Sequence, residues 1–139
     1  MNDLIKNLKN SNLKVTPQRL AIYSYLYHNH THPNAETIYN FVKEDNLTIS
    51  LATVYKTLKT LRDYGLIQEI NVGEDSFRYD LQTTPHSHII CTKCNSIIDY
   101  FVENDIVSNI KDKINNEIDF DVQASQMYFY GVCKNCRAK

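Results

Sequence analysis

The first half of the chain contains four segments in which apolar residues recur at helical spacing. Their apolar positions are Leu4, Ile5 and Leu8; Leu20, Ala21 and Leu26; Ile38, Phe41 and Val42; and Val54, Leu58 and Leu61. Each segment begins with residues that favour a helix start, namely Asn2 or Asp3, Thr16-Pro17, Pro33-Asn34 and Ser50. Gly65 can end the fourth helix in the left-handed conformation. The pattern therefore predicts four helices, the fourth with a polar face of Thr53, Lys56, Thr57 and Thr60.

The pattern then changes from helical to alternating. Residues 66–72 and 76–81 alternate apolar and polar side chains, and Gly73-Glu74-Asp75 joins the two segments as a turn. Helices followed by a hairpin are typical of a winged helix-turn-helix unit. We predict such a unit over residues 1–81.

A short polar segment, residues 82–85, is the predicted linker between two domains. Beyond it, residues 88–91, 96–101 and 126–132 have strand character and surround one helical segment that carries Ile106, Val107, Ile110 and Ile114. This arrangement predicts a small second domain over residues 86–139. The chain as a whole is expected to belong to the α+β class.

Composition restricts the function classes. The chain has 139 residues, of which 42% are hydrophobic, so it suits an ordered protein of one compact domain or two small ones. No apolar run approaches the roughly 18 residues of a membrane span. We therefore expect a cytoplasmic protein. The formal charge of −1 argues against coating nucleic acid by bulk electrostatics. Lys56, Lys59 and Arg62 do form a small basic patch, although such a patch is also common on an ordinary solvated helix face.

The four cysteines form two Cys-x-x-Cys pairs, Cys91 with Cys94 and Cys133 with Cys136. Two such pairs can direct four thiolates at one zinc ion in a closed tetrahedral site, which leaves no position for a substrate. Two disulfides would be unusual in a reducing cytosol, and a redox dithiol would need only one pair on a thioredoxin-like unit. We predict a structural zinc that supports folding of the second domain.

A second set of residues has the donor types of a transition-metal site. His86 and His88 share a face if the chain is extended there, and Asp99 lies on the next predicted strand. Asp80 ends the hairpin, and His32 precedes Pro33 in a turn. Taken singly, each also fits an ordinary turn histidine or strand-end carboxylate. Together they would form a mixed nitrogen and oxygen shell that suits Fe²⁺ or Mn²⁺ and would also bind Zn²⁺.

Several motifs along nearly the whole chain resemble the ferric-uptake-regulator (Fur) family in its usual order. They are Thr16-Pro17-Gln18-Arg19, His32-Pro33-x-Ala35, Ser50-Leu51-Ala52-Thr53-Val54-Tyr55, Arg78-Tyr79-Asp80, His86-Ser87-His88-Ile89-Ile90-Cys91 and Tyr130-Gly131-Val132-Cys133. The resemblance implies a winged-helix DNA-binding domain at 1–81 and a dimerisation and metal-binding domain at 86–139. A regulatory metal is expected to bridge the two.

The resemblance also assigns the ligands. It implies that Cys91, Cys94, Cys133 and Cys136 hold the structural zinc, and that His32, Asp80, His86, His88 and Asp99 hold a regulatory Fe²⁺ or Mn²⁺. Aspartate at both carboxylate positions looks like the peroxide-sensing branch, since iron-sensing members typically have glutamate at the position of Asp99. That branch implies that bound iron reacts with peroxide and oxidises His32 or His86.

Two departures from the family pattern are visible. Asn95 follows the second cysteine, where the family commonly has glycine, and residues 123–127 lack the usual histidines. The second departure argues against an ancillary third metal site. It also weakens an iron-sensor or zinc-sensor interpretation that depends on that site.

The expected protein is a dimeric repressor rather than an enzyme. Its expected partners are double-stranded operator DNA and a second copy of itself. We expect it to bind neither a membrane nor a small-molecule substrate. The fourth helix is the expected recognition helix; the predicted DNA contacts are Ser50, Thr53, Tyr55 and Lys56, together with Arg19 on a phosphate. Two such helices in a two-fold dimer predict an inverted-repeat operator.

Other functions account for fewer of these residues. A zinc hydrolase would use His86, His88 and a carboxylate, but it gives the helix and hairpin unit no role. A zinc-ribbon interaction module explains the cysteines and leaves the mixed ligand set as a coincidence. Within the family, the alternatives are a ferrous-iron-responsive repressor and a zinc-responsive repressor of metal uptake.

Overall fold

The computed structural model describes residues 2–73, 75–81, 86–123 and 125–138, without the side chain of Asn104. The chain divides into two compact units, Met1–Thr83 and Thr84–Lys139. The predicted linker at 82–85 lies outside the described residues. Helices and strands occur in both units, which confirms the expected α+β class. In the part of the chain that is described, no helix has the length and apolar character needed to cross a bilayer.

The first unit contains the four predicted helices. They are α1 (Asn2–Asn10), α2 (Pro17–His28), α3 (Ala35–Val42) and α4 (Leu51–Asp63). The side chains of Thr16, Asn34 and Ser50 accept hydrogen bonds from backbone N–H groups in the first turns of α2, α3 and α4. Gly65, at φ +75°, follows α4 in the left-handed conformation. The start signals of α2, α3 and α4 and the stop signal of α4 are therefore confirmed.

The core of the first unit lies between these helices. Its fully buried side chains include Leu4, Leu8, Ile22, Leu26, Ile38, Val54, Leu58 and Leu61. The expectation that Thr57 lies on the polar face of α4 was wrong, because Thr57 is only 7% exposed. It stands three residues after Val54 and four before Leu61, so helical geometry places it on the same buried face. Phe41 is exposed and packs on the ring of Tyr25, with centroids 4.8 Å apart.

The predicted hairpin follows α4. Strands β1 (Gln68–Asn71) and β2 (Phe77–Asp80) pair antiparallel, with Gln68 opposite Asp80. The Ser76 N–H donates to the Gly73 carbonyl over 2.9 Å. Glu74, which was also assigned to the turn, lies outside the described residues. The pairing confirms the hairpin and fixes Asp80 as the last residue of β2.

The second unit is built on a three-stranded sheet. Its elements are β3 (Ser87–Cys91), β4 (Ile97–Tyr100), α5 (Asn104–Ile118), β5 (Tyr128–Gly131) and α6 (Lys134–Arg137). The strand order is β4-β3-β5; β3 runs antiparallel to β4 and parallel to β5. The three strands and the long helix were predicted, whereas the four-residue α6 was not.

Much of the apolar surface of the second unit is exposed. On α5, the side chains of Ile106, Ile110, Ile114 and Ile118 follow one another at intervals of four residues, and they are 36–64% exposed. Large side chains of the strands are exposed as well, among them Ile98, Tyr100, Phe129 and Tyr130. An extended apolar surface of this kind is characteristic of a protein–protein interface.

Candidate metal centres

The sheet of the second unit brings the four cysteines together. Cys91 is the last residue of β3 and pairs with Gly131, so Cys133 follows β5 at the same end of the parallel pair. Sulfur atoms of all four cysteines lie within 4.8 Å of one another, and the Cys94 and Cys133 sulfurs are 3.8 Å apart. Four sulfurs about 2.3 Å from a tetrahedral zinc ion would be about 3.8 Å apart. The donor set and its geometry therefore fit zinc.

Asn95, at the position where the family commonly has glycine, closes the turn that carries Cys91 and Cys94. The Asn95 N–H donates to the Cys91 carbonyl over 2.9 Å, and Asn95 has φ +60°. Asparagine tolerates this left-handed conformation better than most residues. The Thr92 N–H donates to the Gly131 carbonyl over 2.8 Å, which attaches the turn to β5. This departure from the family pattern therefore leaves the zinc geometry intact.

The electrostatics of the cluster favour partial ionisation without metal. Hydrogen bonds from the backbone N–H groups of Cys133 and Cys94 lower the pKa of Cys91 to about 6. The pKa of Cys94 is lowered by the Ser96 hydroxyl, which sequence analysis did not single out. In contrast, the neighbouring Cys133 side chain raises the pKa of Cys136 to about 12. The hydrogen bond with the Cys133 sulfur therefore favours the protonated form of Cys136, and a divalent cation would favour its thiolate instead.

In the first unit, two of the predicted regulatory ligands form a pair. His32 lies in the turn between α2 and α3, and Asp80 ends β2. The His32 Nε2 and the Asp80 Oδ2 are 3.6 Å apart, and both side chains are buried. We call these two residues the first His–Asp group.

In the second unit, the other three predicted ligands converge. His86 precedes β3, and His88 on β3 pairs in register with Asp99 on β4. The Asp99 Oδ1 lies 3.4 Å from the His86 Nε2 and 3.5 Å from the His88 Nε2. The His86 side chain is fully buried and that of His88 is 6% exposed. These three residues form the second His–Asp group.

The spacing within both groups fits metal ligation. Separations of 3.4–3.6 Å are longer than a good nitrogen–oxygen hydrogen bond. Two ligand atoms about 2.0–2.2 Å from one ion would be about 2.8–3.1 Å apart in octahedral geometry and about 3.3–3.6 Å apart in tetrahedral geometry. Imidazole nitrogen with carboxylate oxygen suits Fe²⁺, Mn²⁺ and Zn²⁺. Each group can therefore supply part of a coordination shell.

Four of the five candidate DNA-binding residues lie on α4 or at its N-cap, and the fifth, Arg19, lies on α2. Ser50, Tyr55 and Lys56 are exposed, with 48% of Tyr55 accessible. The Ser50 hydroxyl lies 2.9 Å from the Thr53 hydroxyl, so these two groups are joined at the start of the helix. Arg19, on α2, donates from Nη1 to the Lys14 carbonyl over 2.9 Å. These surroundings are compatible with DNA contact at α4.

Sequence analysis missed a polar network between α4 and the hairpin. The Glu69 carboxylate accepts from Arg62 Nη1 over 2.6 Å and from the Tyr79 hydroxyl over 3.1 Å. Burial raises the pKa of Tyr79, and the Glu69 charge adds to this effect. Tyr79 therefore remains a neutral hydrogen-bond donor near neutral pH. Glu69 thus joins the end of α4 to both strands of the hairpin.

The order of the helices, the hairpin and the two ligand groups agrees with one family of regulators. The model of the ferric uptake regulator family matches residues 10–130. The chain belongs to the ferric uptake regulator family. This confirms the resemblance seen in the motifs and accounts for the combination of a helix and hairpin unit with a cysteine-rich sheet.

Curated relatives and solved structures extend this likeness over nearly the full length. The peroxide-responsive repressor PerR of Staphylococcus aureus strain Mu50 is 38% identical over 139 residues, which cover 100% of this chain and 93% of the relative. The Campylobacter jejuni peroxide stress regulator is 34% identical, with a TM-score of 0.73 and 97% of each chain covered. The Francisella tularensis ferric uptake regulator, solved with iron, is 28% identical, with a TM-score of 0.77 and coverage of 90% and 95%.

Proposed function

We propose that this Fur-family protein is a dimeric, metal-dependent transcriptional repressor that is inactivated by peroxide. The observation that carries the proposal is the association of histidine with aspartate in each unit, with nitrogen–oxygen separations of 3.4–3.6 Å. The 38% identity with the S. aureus peroxide-responsive repressor favours the peroxide branch. Aspartate at both carboxylate positions, Asp80 and Asp99, favours the same branch.

DNA binding is assigned to α4. We propose that Ser50, Thr53, Tyr55 and Lys56 contact the major groove and that Arg19 contacts a phosphate, with the hairpin as the wing. The net charge of −1 provides little general attraction to DNA. Affinity then depends on presenting two recognition helices at the correct spacing, which requires a dimer and an inverted-repeat operator.

The second unit is the proposed dimerisation domain. The isoleucine row of α5 and the exposed side chains of β4 and β5 give it an apolar surface that a second copy can cover. Zinc at the four cysteines would stabilise the sheet that carries this surface, because metal-binding free energy adds to folding free energy. The zinc is therefore proposed as a structural ion and not as the sensor.

The regulatory ion is proposed to take ligands from both His–Asp groups, namely His32, Asp80, His86, His88 and Asp99. A metal that binds one arrangement of the two units more tightly than another shifts the equilibrium toward that arrangement. The shift cannot exceed the difference in binding free energy between the two forms. Operator affinity is therefore expected to be low in the apo form and higher with Fe²⁺ or Mn²⁺ bound.

Peroxide would act through the ligands themselves. Fe²⁺ held by these ligands would activate peroxide, which Mn²⁺ would not readily do. The histidine itself would supply the two electrons that reduce peroxide: one peroxide oxygen would be added to the ring, and the other would leave as water. His32 or His86 would gain an oxygen atom on the imidazole ring and lose ligand strength. The repressing arrangement would then no longer be stabilised, and the operator would be released.

The second candidate is a repressor that responds to metal concentration alone. The likeness to the iron-bound F. tularensis regulator favours the iron-responsive form, and a zinc-responsive form uses the same ligand types. In both, peroxide leaves the histidines unchanged and metal occupancy alone sets repression.

The experiment compares three loadings of the regulatory site in the zinc-containing full chain. An inverted-repeat operator is first selected from random DNA with manganese-loaded protein. Operator affinity is then measured with Fe²⁺, Mn²⁺ or Zn²⁺, before and after brief exposure to micromolar peroxide, and peptides are analysed by mass spectrometry. His28 and His30 are exposed and serve as internal controls beside His32.

The proposal predicts a gain of one oxygen on His32 or His86, only with iron, together with loss of operator binding. His28 and His30 should remain unmodified in the same samples. If iron-loaded protein keeps both its histidines and its operator after peroxide, the metal-responsive candidate is the better account. Equal operator binding with and without metal would refute both candidates.

A further inference from the structure

His32 has a backbone conformation that is uncommon for a residue other than glycine. It lies at φ +54° in the turn between α2 and α3, in the left-handed region. Residues other than glycine are uncommon in this region, although histidine enters it more readily than most, and contacts with surrounding groups stabilise a residue that adopts it. The orientation of the His32 imidazole therefore depends on the groups that hold this turn.

Three consecutive residues of β2 contact the turn. The Arg78 Nε–H donates to the His32 carbonyl, and the Tyr79 N–H donates to the Pro33 carbonyl over 2.9 Å. The Asp80 carboxylate lies 3.6 Å from the His32 ring nitrogen. The backbone of His32 is thus fixed by the same strand that supplies its partner ligand.

Charge alone does not explain an arginine at this position. Arg78 and Asp80 are two residues apart on β2, so their side chains share a face of the strand. A guanidinium on the face of a cation site repels the cation, and losing that charge would by itself tighten metal binding. The hydrogen bond to the His32 carbonyl acts in the opposite direction, because it holds the ligand in place.

We infer that Arg78 is a positioning residue for the regulatory metal: it holds His32 in the left-handed conformation from which the imidazole ligates beside Asp80. This inference rests on the proposed function, in which His32 and Asp80 are ligands of one ion. The Nε–H donor of Arg78, and not its positive charge, holds His32 in this conformation.

A matched pair of variants separates the donor from the charge. Glutamine carries an N–H₂ group at the side-chain position that Nε occupies in arginine, whereas methionine has a methyl group there. Arg78→Gln therefore deletes the charge and keeps the donor, and Arg78→Met deletes both. Arg78→Val is a second donor-free variant that suits a strand position, should the methionine variant fail to fold.

The measurement is the Kd of Mn²⁺ for the zinc-containing full chain, followed by the electron paramagnetic resonance signal of free Mn²⁺. Far-ultraviolet circular dichroism checks the helices of each variant. We expect Arg78→Met and Arg78→Val to weaken Mn²⁺ binding by about 10- to 100-fold, as is typical when the partner of a metal ligand is removed. Arg78→Gln should bind within a few-fold of wild type or more tightly.

Two controls distinguish failure of this inference from failure of the proposed function. If wild type binds no Mn²⁺ in addition to its zinc, or if His32→Ala binds Mn²⁺ as well as wild type, the proposed ligand set is wrong. A different result is that wild type binds Mn²⁺, His32→Ala does not, and the methionine, valine and glutamine variants of Arg78 all have the same Kd for Mn²⁺. In that case the N–H donor has no role, and the inference about Arg78 is overturned. Tighter binding by Arg78→Met would show that charge repulsion is the only effect of Arg78.

Discussion

Tyr79→Phe tests the network that joins α4 to the hairpin. The substitution keeps the buried ring and removes only the hydroxyl that donates to Glu69 over 3.1 Å. A hydrogen bond to a charged group contributes about 1.5–3 kcal/mol, and the 17% exposure of Glu69 allows water to replace part of it. We therefore expect the free energy of unfolding of the first unit to fall by about 1–2 kcal/mol.

The ion pair in the same network should matter less. Arg62 is 37% exposed, so solvent screens its interaction with Glu69, and Arg62→Met should cost about 0.5–1 kcal/mol. Because both donors contact one carboxylate, the effects of the two substitutions should not add. The assay is equilibrium urea unfolding of the zinc-containing chain, without regulatory metal, followed by circular dichroism.

The pH dependence gives an independent check on Tyr79. Burial raises its pKa in the folded state above the value of about 10 in the unfolded chain. As pH rises above about 10, the unfolded state loses this proton first, so the stabilisation present at lower pH is lost. The wild type should lose up to about 1.4 kcal/mol per pH unit more than Tyr79→Phe in that range. Equal stability of the two proteins at neutral pH, or parallel pH profiles above pH 10, would refute the role given to the hydroxyl.

Two further predictions concern the zinc site and the DNA surface. Wild type treated to remove weakly bound metal should retain about one zinc per chain in elemental analysis. Cys91→Ser should lose the zinc in the same analysis and should lose the dimer in light scattering. Zinc retained by Cys91→Ser at the wild-type level would contradict the four-cysteine assignment. Lys56→Ala and Tyr55→Ala should each weaken operator binding by about 10-fold, and the operator affinity of Lys56→Ala should depend less on salt than that of wild type. Unchanged operator affinity in both variants would rule out α4 as the recognition helix.

Local signals in the sequence were enough to predict the helices of the first unit. Thr16 with Pro17, and Ser50 with Gly65, mark helix ends through contacts within a few residues, and the structure contains those contacts. The burial of Thr57 was missed because a polar residue type was given more weight than its helical position. The four-residue α6 was missed because a single turn has no periodicity to detect.

The candidate site was only partly predictable. The paired cysteines could be assigned from spacing, since the ligand geometry of each pair is local. The association of His32 with Asp80 joins residues 48 positions apart, and only the fold brings them to 3.6 Å. The role of Arg78 was not visible because it depends on a backbone carbonyl, which has no signature in the residue pattern.

The parallel pairing of β3 with β5 has a consequence for the folding reaction. The two strands are separated in sequence by β4 and α5, so their association requires closure of a long loop before any contact compensates the lost chain entropy. Non-local pairing of this type forms late and slowly. Because the cysteine pairs lie at one end of these two strands, zinc bound to them would stabilise this non-local pairing. Metal supply during folding would therefore govern the yield of assembled protein as well as its final stability.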